Sequence, residues 1–511
     1  MNRHYFEMAD LNQPKLYERE VLPVSEVEIV PDDKDFFGFG TKKVGCAGDR
    51  VIFRKGDKIL FDFGEHCVGY VSFRLHHHLE FLDAPVHLKI RFSEMPFELA
   101  RDFSTYHGGI CSSWLEEEIV KVYAPGDVKL STRYAFRYME ITVLATPRPF
   151  VMDNFAVRCV TSADISKFKP LPEGTDPLLR KIDEIGAATL RDCMQSVYED
   201  GPKRDRRLWS GDLRIQALTD YYLYNNRTLA KRCLYLFASC MDDELYIPGC
   251  LFLANGVYHD DCTYLADYAL IFAVSLCDYF EHTPEDRETA RDLYPAAKKQ
   301  LEIAESLLGE DGIITFREGW SRFIDWADGL EKTTSVEGIF LYTLSKMILL
   351  ASHLGYTEDA EHWDKLYDKM KKAALDRLYD KERGLFINGY DKGQLSVHSQ
   401  VWMILGGAIE GEEAVSALHK ALSAADSVKP VTPYMHHYVL EAMVKLGMMD
   451  EAEKYLKGYW GKMVEYGADT FWEVFVPGKP EISPVHDNIM NSMCHAWSCS
   501  PSYFIRRYFV K

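Results

Sequence analysis

Two hydrophobic periodicities divide the chain, and the change from one to the other falls near residue 165. Before it, apolar and polar residues alternate in short runs such as Tyr70-Val71-Ser72-Phe73-Arg74-Leu75 and Val86-His87-Leu88-Lys89-Ile90-Arg91-Phe92, separated by Gly, Pro and Asp. Successive side chains on a strand point to opposite faces, so this alternation predicts half-buried strands. Residues 1–165 are expected to form an antiparallel β-sandwich-like domain. A Pro- and Gly-rich linker, Lys169-Pro170-Leu171-Pro172-Glu173-Gly174-Thr175, leads to Asp176-Pro177, an N-cap residue followed by proline at the first helical position.

Beyond the linker the apolar residues recur with a helical period. The segments are 176–197, 211–224, 227–238, 262–282, 284–308, 333–354, 357–378, 397–408, 411–424, 432–446, 450–464 and 491–508. Start signals stand at Thr283-Pro284, Thr357, Thr432-Pro433 and Asp450, and Gly355 and Gly447 mark stops. Pairing these segments gives six hairpins, so residues 166–511 are expected to close into an (α/α)6 toroid. The alternative, an open helical solenoid, would show a fixed sequence period between hairpins. None is visible, and the loops 239–261 and 309–332 are long and aromatic.

Charge and cysteine usage narrow the setting. With 78 acidic and 59 basic residues, the net charge of -19 repels phosphate backbones and anionic lipid, which argues against nucleic acid or membrane as a partner. The opening MNRHYFEMADLNQPK has no apolar export core, and no later run of ~18 to 20 uninterrupted apolar residues stands out as a membrane span. The 12 cysteines form no CxxC pair and no zinc spacing, so free thiols in the cytoplasm are expected. His76-His77-His78 alternates across a strand and His436-His437 are adjacent on a helix, which suits packing or surface roles better than metal ligation.

The candidate chemistry lies in two clusters. One is the loop Tyr198-Glu199-Asp200-Gly201-Pro202-Lys203-Arg204-Asp205-Arg206-Arg207-Leu208-Trp209-Ser210-Gly211-Asp212, where carboxylates and guanidinium groups surround a tryptophan. Aromatic faces stack on the C–H surface of a pyranose while carboxylates and Arg bond its hydroxyls, so the mixture fits a sugar. The other is Gly467-Ala468-Asp469-Thr470-Phe471-Trp472-Glu473-Val474-Phe475, followed by Asn491-Ser492-Met493-Cys494-His495-Ala496-Trp497. A carboxyl among aromatic rings has its pKa raised by desolvation, which suits proton transfer. Glycoside hydrolysis needs two carboxyl groups, and a closed toroid brings its first and last hairpins together.

At these residues the sequence resembles the bacterial α-L-rhamnosidases, family 78 of the glycoside hydrolases. Asp200, Pro202, Arg204, Arg206, Trp209, Gly211 and Asp212 fall in register with the family's Asp-x-Pro-x-Arg-Glu-Arg-x-x-Trp-x-Gly-Asp loop. The run 467–473 is similar to its Gly-Ala-x-Thr-x-Trp-Glu element, and His495 to its late histidine. Phe61-Asp62-Phe63-Gly64-Glu65 with Gly69-Tyr70, and Phe136-Arg137-Tyr138-Met139-Glu140, resemble signatures of the preceding β-domain.

The resemblance implies an inverting, exo-acting hydrolase of small α-L-rhamnosides or oligosaccharides, with no cofactor and no metal. It implies Glu473 as general base and Asp205 in the place of the general acid, with sugar contacts from Asp200, Arg204, Trp209, Asp212 and His495. Trp320, Asp325, Trp326 and Trp472 are further candidate contacts. Asp205 departs from the family's glutamate and is shorter by one methylene, ~1.5 Å, against a catalytic tolerance of ~0.5 Å. Two other readings stay open: a six-hairpin glycosidase for another L-sugar or an unsaturated uronide, and a carbohydrate-binding relative without activity.

Overall fold

The computed structural model describes every residue except 1, 243, 245, 262, 317–319, 391–392 and 511; Cys262 and Gly319 thus lie outside the described residues. The amino-terminal part is a sheet domain whose central member is the strand Lys58–His77. Its first half pairs with Tyr134–Ala145 and its second half with Phe150–Thr161, all antiparallel. The register slips between Asp62 and Cys67, and an irregularity of this kind bends a strand so that it can serve both sides of a core. That core is filled by the inward residues of the period-two runs, among them Phe61, Phe73, Leu88, Ile90, Phe92, Phe136 and Ile141.

The last strand of this domain ends at Thr161 and the first long helix, Pro177–Cys193, begins under the Asp176 cap, whose side chain accepts from the Leu178 and Leu179 amides. An outer set of helices follows it: Arg227–Ser239, Arg287–Glu305, Thr357–Arg377, Gly411–Ser423 and Met449–Glu465. The inner set is Ser210–Asp220, Ala266–His282, Thr333–Leu354, Val397–Leu405 and Pro433–Lys445, completed by the turn Ala496–Cys499 and the helix Pro501–Phe504. Each inner helix packs on the next, and Pro177–Cys193 packs on both Met449–Glu465 and Pro501–Phe504, which closes the ring. Helices walled in on all sides read as apolar all round. Thr333–Leu354 accordingly has the length and composition of a membrane span, yet its apolar window is 78% buried within the toroid.

Two sequence expectations are corrected. Residues 491–508 are not one helix: a 3-10 turn at Ala496–Cys499 and a helix starting only at Pro501 replace it, leaving 491–495 as an extended loop. Within the supposed all-β region, Arg3–Leu11 is a helix capped by Asn2. It belongs to the toroid: the Asn2 amide donates to Ser239 O (2.7 Å), and Tyr5 OH donates to Asp292 O (3.1 Å).

Candidate active site

The loop 199–209 hangs between the first outer and first inner helices, and its backbone is fixed by its own side chains. Asp200 Oδ1 accepts from the Arg207 amide (3.0 Å) and the Asp200 amide donates to Arg207 O (2.9 Å). A Cβ on Gly201 would stand 2.6 Å from Arg204 O and from Ser492 Oγ, so only glycine lets the loop pass the 491–495 segment. Leu208–Trp209 pairs with Cys250–Ala254, and Trp209 then caps Ser210–Asp220, which places Asp212 in the first helical turn.

At the centre Arg204 Nη2 donates to both oxygens of Glu473 (2.7 and 2.5 Å), and its Nε donates to Met490 O (2.8 Å). The Ser492 amide donates to Glu473 Oε2 (2.9 Å). Both partners are nearly inaccessible, at 4% exposure for Arg204 and 1% for Glu473. Burial raises the Glu473 pKa, and Arg204 and Ser492 oppose that rise by favouring the charged form.

Asp200 and Asp212 are also buried, whereas the Asp205 side chain keeps 24% of its surface. Burial, reinforced by Asp205, holds the Asp200 carboxyl well above the usual carboxylate range; burial, then Asp200 and Glu473, does the same for Asp212. Asp200, Asp212 and Glu473 are thus three buried carboxyl groups close to one guanidinium, each pushed toward its protonated form by burial. His495 is held well below the usual imidazole range by burial and then by Arg204, so it is neutral.

Asp212 Oδ1 and both ring nitrogens of His495 are buried without a hydrogen-bond partner among the described residues, and Asp212 Oδ1 lies 3.5 Å from His495 Nε2. An unmet buried polar atom costs ~1 to 3 kcal/mol, so such a cluster is accounted for when a polar ligand meets it. Aromatic rings stand around it: Trp497, whose Nε1 donates to Glu473 O (2.9 Å), packs on His495 (4.4 Å), Trp326 (5.2 Å) and Phe323 (5.8 Å). Tyr268 meets Trp209 edge-on at 6.3 Å and would sit 2.4 Å from any Cβ on Gly211.

The structure therefore gathers Asp200, Arg204, Asp205, Trp209, Asp212, Glu473 and His495, with Trp326 at the edge. It does not bring in three other residues expected to touch sugar. Asp325 has both oxygens occupied, Oδ1 by the Thr432 hydroxyl (2.7 Å) and Oδ2 by His398 Nε2 (2.8 Å) and the Val431 amide (2.8 Å), so it locks the loop that carries Phe323 and Trp326. Trp472 is buried against Phe36 (5.7 Å) and Phe37 (5.2 Å) of the β-domain. Trp320 packs edge-on against Tyr246 (5.1 Å) in a separate cleft of about 260 Å³, behind the helix face opposite Tyr268.

Composition gave no sign of a layer of buried charges that the β-domain lends to the site. Lys203 Nζ donates to Glu98 Oε2 (2.6 Å), Ile489 O (3.1 Å) and Asn491 O (2.9 Å); Arg206 pairs with Glu116 (2.8 Å), and Arg133 with Glu199 (2.6 Å). Burial pushes Glu98 up to about 7 and Glu116 up to about 8. Among the described residues, His66, Asp192 and Cys494 gather closely enough to hold a metal ion. Hydrogen bonds already engage the imidazole at both ends, Nδ1 with Asp192 (2.8 Å) and Nε2 with Glu94 (3.1 Å).

The chain matches a family described as the glycosyl hydrolase family 78 alpha-rhamnosidase N-terminal domain over residues 23–161. Residues 172–509 match the bacterial alpha-L-rhamnosidase six-hairpin glycosidase domain. Among solved structures, a rhamnosidase from Klebsiella oxytoca with rhamnose bound is 36% identical, with 100% of this chain and 99% of that one covered and a TM-score of 0.95. The family 78 rhamnosidase of Bacillus sp. GL1 shares the fold at 22% identity and a TM-score of 0.75, covering 93% of this chain and 50% of its own. The Streptomyces avermitilis α-L-rhamnosidase complexed with L-rhamnose does so at 17% and 0.69, covering 96% and 44%. No curated protein sequence matches the chain.

Proposed function

Because this chain belongs to the bacterial α-L-rhamnosidases of glycoside hydrolase family 78, we propose that it releases terminal α-L-rhamnose from small rhamnosides or oligosaccharides with inversion at the anomeric carbon. The observation that carries the reading is the cluster of Asp212 and His495, whose buried Oδ1 and ring nitrogens have no hydrogen-bond partner among the described residues, beside the Arg204–Glu473 pair. Sugar hydroxyls supply what those atoms lack, and Trp209 and Trp497 offer faces for the apolar side of the ring.

Glu473, whose charged form Arg204 and the Ser492 amide favour, takes a proton from the attacking water. Asp205, on the more open side, donates to the departing oxygen. Inversion asks for carboxyl groups roughly 6.5 to 9.5 Å apart, with the water between one of them and the sugar. Exo action is supported by the closed interior below the site. Arg214, fully buried, bridges Asp278, Glu441 and Tyr342 across the inner ring, and Asp278 is ten residues, ~15 Å, further down its helix than Tyr268. Such a plug suits a site that takes a terminal sugar rather than a threaded chain. The 11 described cysteines are free, which suits a reducing cytoplasm.

A panel of nitrophenyl glycosides tests the proposal. Release from the α-L-rhamnoside is expected; release only from another L-sugar or an unsaturated uronide would replace the substrate, and release from none would leave a carbohydrate-binding protein.

A further inference from the structure

The loop that holds Glu473 is itself held from outside the toroid. Two consecutive amides divide their bonds between two carboxylates: Ser492 N–H donates to Glu473 Oε2 (2.9 Å), and Met493 N–H donates to Glu94 Oε2 (2.5 Å). Glu94 follows the strand Val86–Ser93 of the β-domain and is 1% exposed. Its other oxygen meets His66 Nε2 (3.1 Å), and His66 Nδ1 meets Asp192 (2.8 Å) in the last turn of the first outer helix. Lys203, 3.6 Å from Glu94, fixes the carbonyls of Ile489 and Asn491 on the near side of the same loop. The peptide that reaches the base is therefore clamped on both flanks by groups that do not face the sugar.

We infer that Glu94, backed by His66 and Lys203, is a positioning residue for the general base: the β-domain sets the Ser492 amide on Glu473 and is thereby part of the catalytic apparatus. The inference rests on the reading of Glu473 as base. Amides 492 and 493 belong to adjacent peptide planes, and with the Met493 amide freed the plane between them keeps only the bond from the Glu473 amide to Ser492 O (2.9 Å), about which it can turn and shift the Ser492 donor on Glu473. A buried donor left without its acceptor drives such a turn. Displacement of a catalytic group by ~1 Å costs on the order of 10²-fold in rate.

The test compares Glu94→Ala with Glu94→Gln in the full chain. The amide oxygen of Gln still accepts from Met493 N–H, whereas Ala cannot. Each variant is assayed for kcat and KM on nitrophenyl α-L-rhamnoside from pH 4 to 9, for rhamnose affinity by calorimetry and for Tm. Glu473 is faced by Arg204, Asp205 and Asp212, which both variants keep. Glu94→Ala is expected to lose ~10- to 100-fold in kcat with KM and rhamnose affinity changed less than threefold. The Ser492 bond favours the charged base, so its loss should move the acidic limb of the kcat profile to higher pH. Glu94→Gln should recover most of both.

Should Glu94→Ala not fold, Lys203→Met frees the other flank of the loop and is expected to give the same loss of kcat and the same displaced limb. A folded variant with lowered Tm but an unmoved limb and unchanged kcat would overturn the inference, as would a fall in rhamnose affinity equal to the fall in kcat. Failure of the underlying reading is distinguishable, because Glu473→Gln would then stay active while the Glu94 variants are judged by their own profile.

Discussion

Replacing Arg204 by Met removes the only cation that touches Glu473 among the described residues and leaves an unbranched side chain without charge or donors. The pair is buried on both sides, with Nη2 2.7 and 2.5 Å from the carboxylate oxygens. Breaking a buried ion pair by deleting one partner costs ~3 to 5 kcal/mol, because the remaining charge is uncompensated. Glu473 escapes that cost by taking a proton. At 1.36 kcal/mol for each pH unit, its ionisation should move up by ~2 to 4 units, on top of the rise that burial already imposes. A general base works only when ionised, so the acidic limb of kcat/KM moves to higher pH.

In an assay on nitrophenyl α-L-rhamnoside at pH 4 to 9, Arg204→Met should lose ~10²-fold or more at pH 6 and recover part of it above pH 8. Arg204→Lys keeps the charge but not the planar fork, and its limb should shift by about one unit or less. An unmoved limb accompanied by a higher KM would refute the reasoning and return Arg204 to the role of a sugar contact.

Two further outcomes follow from the same geometry. Asp205→Asn should cut hydrolysis of rhamnosides with poor leaving groups by ~10² to 10⁴-fold and spare much of the activity on nitrophenyl rhamnoside, whereas Glu473→Gln should lower both together; steady-state rates on the two substrates separate them. Equal losses for Asp205→Asn would remove it as the acid. Glu337, on Thr333–Leu354, is buried with one oxygen bonded to the Ile314 amide (3.0 Å) and the other unpartnered, and burial pushes it up to about 8. Its native proton is kept between the ordinary 4.5 and about 8, so stability falls as pH rises through that window, by ~5 kcal/mol at full ionisation. Glu337→Gln should raise Tm at pH 8.5 and leave it unchanged at pH 4.5; an equal change at both would refute the assignment.

Helices were most legible where a side-chain cap marks the start, as Asp176, Asn226 and Asp286 do for three outer ones, or where an inner one is apolar along most of its length, as Ala266–His282 and Thr333–Leu354 are. Residues 491–508 misled because a buried loop is as apolar as a buried helix; Pro501, which suits a helix start, marks where the helix begins. The site's first ring was legible for a similar reason. Charges beside a tryptophan at 200–212, and a glutamate among aromatics at 473, are costly to bury without purpose. What periodicity does not report is the direction of each side chain relative to a partner far away in sequence. Trp472 lies next to the base yet turns to Phe36 and Phe37, and Asp325 spends its oxygens on Thr432, His398 and Val431. Glu94, Glu98 and Glu116 look like ordinary charges at strand ends, and only the packing of the β-domain on the loops reveals them as buried partners.

The central claim, hydrolysis of an α-L-rhamnoside by water activated at Glu473 across the ring from the leaving group, is tested most directly by proton NMR during the first minutes of hydrolysis, before mutarotation. The account predicts that the anomeric signal of β-L-rhamnose appears first and the α-anomer grows in only later. Initial release of α-L-rhamnose would contradict it.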